Sequence, residues 1–422
     1  MYTPLNKQTS FFVALSLTLV LFSTCKKDDG ECNTANVPTI DWQKTIDDNN
    51  DAAIHSVQQT TDGGYILVKA KHKGPNSGNY WIVKLNSNAD IEWEKSYGGS
   101  DYDKAQSIQQ TIDGGYIVAG LTFSNDGDVT NNNGGVDAWI LKLTVNGDIE
   151  WQKNYGGSNS DYLTSIKQTA DGGYIAVGQS YSTDGDLFNN QGNFDAWAIK
   201  IAANGNIEWS KSFGGSSVDY LNDIQQTANG DYLTVGVTQS TDGDITINKD
   251  GIYYWLIKLQ ANGNIEWQKG YGDSRFDNAK CIQKTNDGNY IIVGSNSSNN
   301  GIIITINEIS DILFIKIDSL GTVLHQTSVN AGNNEAANNA LQTHDNNFLV
   351  AGYTQNTNSN IYNIFVVALD TNCNLLWQQQ IPQEDDSISA KTIFETPDCG
   401  YMLFGNELLE NGLTNDIIIK LK

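Results

Sequence analysis

Two kinds of short apolar run alternate along the chain. In one stretch, residues 163–169 (LTSIKQT), 173–179 (GYIAVGQ), 196–201 (AWAIKI) and 207–214 (IEWSKSFG) each have the length of a strand. The middle two are apolar at consecutive positions, as are Tyr116, Ile117, Val118 and Ala119 in the preceding copy, so both faces of these strands are expected to be buried. The last run alternates: in IEWQK (149–153), Ile149 and Trp151 interleave with Glu150 and Gln152, the pattern of a half-exposed strand at a sheet's rim. Asp171-Gly172 joins the first pair of runs and Asn204-Gly205 the last. Both dipeptides suit tight hairpins, whose central residues need positive φ. The predicted unit is a four-stranded antiparallel sheet.

The unit recurs. Trp93, Trp151, Trp209 and Trp267 follow one another at 58 residues, with His325 in the same slot a further 58 on, while the end steps from Trp42 and to Trp377 shorten to 51 and 52. The first run returns as SVQQT (56–60), SIQQT (107–111), SIKQT (165–169), DIQQT (223–227), CIQKT (281–285), ALQTH (340–344) and TIFET (392–396). Seven inner strands predict seven blades. A period this long, with sheets apolar on both faces, fits a radial propeller and not a solenoid with rungs of roughly 20–29 residues. Residues 39–46 (TIDWQKTI) copy an outer strand, and 416–422 (DIIIKLK) copy a third strand. The N-terminal strand is therefore expected to complete the last blade, leaving no open sheet edge. The fold class predicted for residues 39–422 is all-β: a seven-bladed β-propeller of four-stranded antiparallel blades.

The pattern W-x-K-x-Y-G-G-S, then Q-x-T-x-D-G-G-Y-I-x-x-G, then D-A-W-x-x-K-L-x-x-N-G resembles the β-propeller repeat labelled SBBP. Tyr155, Gly156, Gly157, Asp171, Gly172, Gly173, Asp195 and Trp197 carry it in one copy. The sixth and seventh copies depart from it, with Asn346-Asn347 and Cys399-Gly400 in place of Gly-Gly. The resemblance implies architecture and no shared reaction, because propellers host unrelated functions.

Ahead of the repeats, Lys7 precedes a largely apolar run from Phe11 to Phe22, followed by Ser23, Thr24 and Cys25. Twelve residues are too few to span a bilayer as a helix but fit the apolar region of a secretory signal. Small residues before a Cys resemble the lipobox of bacterial lipoproteins, in which that Cys is acylated. Phe22 departs from the usual Leu. Lys26, Lys27, Asp28 and Asp29 resemble the charged export tag of Bacteroidota-type surface lipoproteins. The reading is a signal peptide over 1–24, a lipidated Cys25 with a polar tether over 25–38, and a propeller displayed from the outer membrane, surface-exposed or facing the periplasm.

Charge narrows the partners. Lys and Arg total 25 against 49 Asp and Glu, a formal charge of −24, which repels a phosphate backbone and excludes nucleic acid; membrane contact is expected only through the lipid. The lone Arg of the chain, Arg275, cannot form the arginine clamp of a sialidase-type site. The four His (His55, His72, His325, His344) show no zinc or triad spacing.

Candidate residues divide into repeated and unrepeated. All ten Trp fall into two repeat slots, outer-strand and third-strand, and are expected to wedge adjacent sheets. Asp126 with Asp128, Asp184 with Asp186, and Asp242 with Asp244 lie in S-x-D-G-D loops. They offer oxygen ligands to calcium, the one cofactor considered, or cap nearby backbone in Asx-type turns. Asp51, Asp103, Asp161, Asp219, Asp277, Glu335 and Asp386 precede the inner strands and either fix loops or form a cation funnel at the channel mouth. Outside the repeat, Lys69, Lys71, His72 and Lys73 make the second-to-third loop of the first blade basic; these and Arg275 are candidates for an anionic ligand. Cys373 and Cys399 fall in turns of adjacent blades and are the disulfide pair considered, with free thiols the alternative.

The function expected is a lipid-anchored binding platform for a glycan or protein. Alternatives are a glycan-degrading hydrolase or lyase, for which paired carboxylates would serve, and a structural envelope protein. No catalytic constellation stands out.

Overall fold

The computed structural model describes residues 34–46, 52–74, 77–187, 189–247, 252–272, 277–297, 310–355, 361–382, 386–409 and 412–422. Their regular structure is entirely β: seven four-stranded antiparallel sheets, the blades of a propeller. Blade 3 shows the pattern, with strands Asp161–Gln168, Tyr174–Ser180, Asp195–Ile201 and Ile207–Phe213 from axis to rim. Its two middle strands are buried almost throughout, while the outer strand is exposed where it begins, as the hydrophobic pattern predicts.

Ring closure also follows the prediction. Blade 7 takes Ser387–Glu395, Tyr401–Leu408 and Thr414–Leu421 from the C-terminal end and Ile40–Thr45 from the N-terminal end. Reciprocal main-chain bonds tie Thr39 to Lys422 at 2.7 and 2.9 Å. A buried ion pair, Lys69 Nζ to Asp416 Oδ2 at 2.5 Å, joins blade 1 to blade 7 across the same seam.

The core is seven slabs between blades, not one centre. Between blades 2 and 3, Ile117, Ala119, Ala138 and Ile140 meet Leu163, Ile166, Ala176, Trp197 and Ile199. Between blades 7 and 1, Met402, Phe404 and Ile418 meet Ile54, Leu67 and Val83. Third-strand Trp139, Trp197 and Trp255 are fully buried, and each indole N–H donates to its own blade's outer strand, at Gln152, Ser210 and Gln268. Outer-strand Trp151 and Trp209 instead donate across to the next blade, to the carbonyls of Ala203 (3.1 Å) and Ala261 (3.0 Å). Tyr155 and Tyr271 make parallel bonds to Gly205 and Gly321, each at 2.6 Å. The two Trp slots thus hold blades together in two ways, one by packing and one by bridging.

These roles differ in cost. Trp197→Ala, which opens a cavity at a fully buried site, is expected to lower stability by about 3–5 kcal/mol. Trp151→Ala, half exposed at the rim, loses less. Urea unfolding of the two variants checks the order; an equal loss in both would contradict the assignment.

Candidate functional site

Strand order places the connectors between blades and the second-to-third-strand loops on one face, the loop face, and the hairpin turns on the other, the turn face. On the loop face, the acids heading the inner strands are buried between blades and do not open on the channel. Asp103, Asp161, Asp219, Asp277 and Glu335 are all 0% exposed. Asp161 accepts from Gly157 N and Ser182 Oγ, both at 2.8 Å, and from Ser180 Oγ. Asp103, Asp219 and Glu335 hold their own loops in the same manner. The loop-fixing alternative describes Asp103, Asp161, Asp219 and Glu335; Asp386 lies just before the last inner strand, and Asp51 is outside the described residues.

The S-x-D-G-D carboxylates also act as clasps. Asp126, Asp184 and Asp242 each accept a backbone N–H at 2.7 Å, from Ser100, Ser158 and Ser216. Asp128 and Asp186 accept from Gly98 and Gly156 at 3.1 Å, and Asp244 accepts from Gln191 Nε2 at 3.0 Å. The backbone they cap belongs to the connector leading into the blade, not to their own turn, which corrects the Asx-turn expectation. The same geometry explains the Gly-Gly of the repeat. Gly156 sits at φ 153°, and a Cβ there would lie 2.6 Å from Asp161 Oδ2; one on Gly157 would lie 2.4 Å from Asp184 Oδ1. Among the described residues, no group of three or more His, Cys, Asp or Glu is arranged to hold a metal ion.

On the turn face, the Thr-x-Asp of the inner hairpin in blades 1, 2, 3, 5 and 7 meets a lysine from the third strand. Asp171 accepts from Thr169 Oγ1 (2.5 Å) and Gly173 N (2.9 Å), and Lys200 bridges Asp171 and Glu208 at 3.0 and 3.3 Å. The arrangement repeats around Lys84 and Lys142. The lysine's part in it was not read from sequence, although K-L in the repeat was the visible signal.

The unrepeated candidates fare differently. Lys69, Lys71, His72 and Lys73 are not a loop: they continue strand Tyr65–Gly74, with Lys69, Lys71 and His72 in register with Trp81, Asn79 and Gly78. Lys69 is buried in the seam with Asp416 and is unavailable to a ligand. The side chains of Lys71, His72 and Lys73 and all of Arg275 fall outside the described residues. The pairing of Cys373 with Cys399 does not form. Cys373 is a free thiol turned into the blade 5–blade 6 core beside Phe314 and Phe348, where burial pushes its pKa up to about 11. Its turn joins the two outer strands, whereas Cys399, which is disulfide-bonded, lies in the innermost hairpin of blade 7.

At the axis, each inner strand carries a β-bulge, two residues before the Ile or Val of its motif in six blades and before Ala340 in blade 6, breaking register with the second strand in all seven blades. The bulged residues, His55, Gln106, Thr164, Asn222, Lys280, Asn338 and Lys391, ring a central cavity of about 440 Å³. Lys167 and Asp223 line it too, 3.9 Å apart. Toward the loop face, Lys104, Tyr162 and Tyr220 share the strand position two residues earlier. Beside that mouth stands an aromatic cluster: Tyr102 packs edge-on to Phe123, and Phe194 packs against both Tyr162 and Tyr181. Phe123 and Tyr181 are 45% and 39% exposed.

No family model matches the chain, and no curated protein sequence does. Solved structures match its shape. A polysaccharide lyase of family PL25, an ulvan lyase bound to -[GlcA(1-4)Rha3S]-, has a TM-score of 0.53 at 10% identity over 89% of this chain and 95% of its own. An ancestral GH74 enzyme has 0.51 at 8% identity, over 89% of this chain but only 48% of its own. The β-propeller domain of the Trilobed protease from Pyrococcus furiosus has 0.46 at 8% identity, over 87% and 95%. At such identities the likeness is one of fold alone.

The two acid systems set opposing pH dependences. Burial raises Asp137 and Asp195 to about 6, against one backbone hydrogen bond each and with help from neighbouring carboxylates, Asp161 and Asp186 for the first and Asp219 and Asp244 for the second. A carboxyl raised above its unfolded value destabilises when ionised, so stability rises as pH falls from about 7 to 5. On the turn face, burial works to raise Asp62, Asp171 and Asp398. Hydrogen bonds from the Thr, the Lys and the Gly N–H, with the Lys charge, outweigh it and hold all three at about 2. Their stabilisation is present above the unfolded value and is lost as pH falls from about 4 toward 2. Thermal melts across pH are expected to peak between about pH 4 and 5; a steady decline from pH 7 downward would contradict this.

Proposed function

We propose that the protein is an exported, lipid-anchored propeller of the SBBP type that serves as a glycan-binding platform, with ligand taken on the loop face. The exposed aromatic cluster supports this reading most directly. Sugar rings present C–H faces that stack on flat aromatic surfaces, and Phe123 and Tyr181 offer such surfaces beside a polar channel mouth. Among the described residues, Phe123 and Tyr181 are the exposed large aromatic rings, in corresponding positions just beyond the second strands of blades 2 and 3.

The leading end of the described chain is fastened to the propeller. Thr34 is docked on the turn face: its N–H and hydroxyl donate to Asp345 Oδ2 at 3.1 and 2.7 Å, Asn347 donates to its hydroxyl at 2.6 Å, and the Trp377 indole donates to its carbonyl at 2.6 Å. The polar tether expected over 25–38 is therefore fastened to blade 6 from Thr34 onward. Nine residues separate Cys25 from Thr34, a reach of at most about 30 Å. The described chain thus enters the propeller on its turn face.

Two measurements test the proposal. Metabolic labelling with an alkyne fatty acid is expected to mark the protein and to be lost in Cys25→Ser; labelling that persists would remove the anchor. On a glycan panel, retention without bond cleavage is expected. Phe123→Ala and Tyr181→Ala are each expected to weaken retention by about fivefold or more. Cleavage products would favour the hydrolase or lyase reading, and capture of protein ligands alone would refute a glycan ligand.

A further inference from the structure

The seven inner strands are copies of one another wherever the fold makes demands, yet they differ at the bulge. Those seven positions hold His55, Gln106, Thr164, Asn222, Lys280, Asn338 and Lys391. Thr164, Asn222 and Asn338 each donate to the inner strand of the next blade, at the carbonyls of Leu221, Ala279 and Ala390, whereas among the described residues Lys280 and Lys391 make no such bond and line the lumen. Their composition runs against the rest of the chain. In a protein of charge −24, the lumen gathers Lys280 and Lys391 in the bulge ring, Lys104 one tier toward the loop face, and Lys167 toward the turn face. Asp223 is the one carboxylate lining the cavity. It already accepts from Ser165 Oγ at 2.8 Å and Ile282 N at 3.1 Å, and lies 3.9 Å from Lys167. Among the described residues, no carboxylate lies within ion-pair distance of Lys104, Lys280 or Lys391.

Such a cluster is costly without a counter-charge. Burial lowers the pKa of all three lysines, and for Lys391 the charges of Lys280 and Lys104 lower it further, so the ammonium groups of blades 2, 5 and 7 repel one another across the lumen. An anion at the axis would convert that repulsion into attraction from three sides. Around it, Gln106 and the side-chain oxygens of Thr164, Asn222 and Asn338, whose own donors are taken by neighbouring backbone, supply neutral polar groups, which suit hydroxyl groups and not a second full charge.

We infer that the central channel is a binding site for a sugar acid, its carboxylate held by Lys280 and Lys391 and its hydroxyls by the amide and hydroxyl side chains of the bulge ring. The cavity, about 440 Å³, lies within the size range of small-molecule sites. This site is distinct from the aromatic patch at the mouth and does not depend on it.

Titration calorimetry of the purified protein with free galacturonate and glucuronate, with glucose and sodium sulfate as comparisons, tests the inference. The uronates are expected to bind, glucose not to, and sulfate to bind more weakly than the uronates. Lys280→Gln combined with Lys391→Gln is expected to weaken uronate binding roughly tenfold to a hundredfold, while Val145→Ala, at an exposed turn remote from the channel, leaves it unchanged. Removing like charges from the lumen should also leave the melting temperature of the ligand-free double variant unchanged or raised. Should the double variant fail to fold, each single Gln variant and the shift of ¹⁵N-lysine side-chain signals on adding galacturonate report on the same contact. No uronate binding, unaltered binding in the lysine variants, or sulfate binding as tightly as the uronates would overturn the assignment. A glycan retained on the panel but insensitive to the lysine changes would overturn the channel site and leave the loop-face reading standing.

Discussion

A sheet that is apolar on both faces must be covered on both, and this constraint generates the molecule. Tyr174–Ser180 and Asp195–Ile201 are buried almost throughout because blade 2 lies on one side and blade 4 on the other. A linear stack of such sheets would leave two end faces wet; a ring leaves none. Hence Ile40–Thr45 crosses to the far end of the chain to finish blade 7, and hence the Lys69–Asp416 pair occurs at that seam, where blade 1 and blade 7 meet. Replacing one partner of a buried pair leaves the other's charge in an apolar setting, so the pair serves the register of closure more than net stability.

Closing the ring creates two surfaces with different duties. Turns on one side are short and repetitive, and their Thr, Asp and Lys side chains are spent on one another. Connectors on the other side are longer, and carboxylates hold them through backbone amides so that their tips are fixed without covering the face. The chain's entry through Thr34 is fastened to the short-turn side, which leaves the better-equipped side unobstructed.

The fold was legible because its information is written seven times. Strand faces, the tight turns, the count of blades and the closing strand each rest on patterns that local chemistry enforces in every copy, so losses such as His325 for Trp do not erase them. The site was less legible for the opposite reason. Lys280 and Lys391 precede C-I-Q-K-T and T-I-F-E-T as ordinary-looking polar residues, and only the bulge, a backbone irregularity without a residue signature of its own, turns them toward the axis. Lys69, Lys71, His72 and Lys73 misled because a basic run after a strand reads as a loop, whereas pairing with Ser77–Leu85 draws it into the sheet. For Cys373, sequence gave its blade but not its radius: the turn between the outer strands directs the thiol inward to the inter-blade core, away from the innermost hairpin that holds Cys399.

Repetition itself supplies a way to separate architecture from chemistry in such a chain. Where a slot is filled alike in blade after blade, as by the Asp heading the inner strands of blades 2 to 5 or the Trp in the third strands of blades 1 to 4, the residue answers to a demand those blades share. A slot that is equivalent in geometry but filled with His, Gln, Thr, Asn, Lys, Asn and Lys answers to no single such demand, even though Thr164, Asn222 and Asn338 also bond the next blade. Seven side chains of five kinds converging on one axis break the ring's symmetry at the single place where all blades meet, and an asymmetric ligand needs such a place to be held in one orientation. Concentrating cations there, in a molecule of charge −24, sets the axis apart electrostatically from the acidic composition of the chain. Anions repelled by the acidic exterior would find favourable potential only along that line, so the same charge imbalance that keeps the exterior unattractive to polyanions would direct a small acid into the lumen.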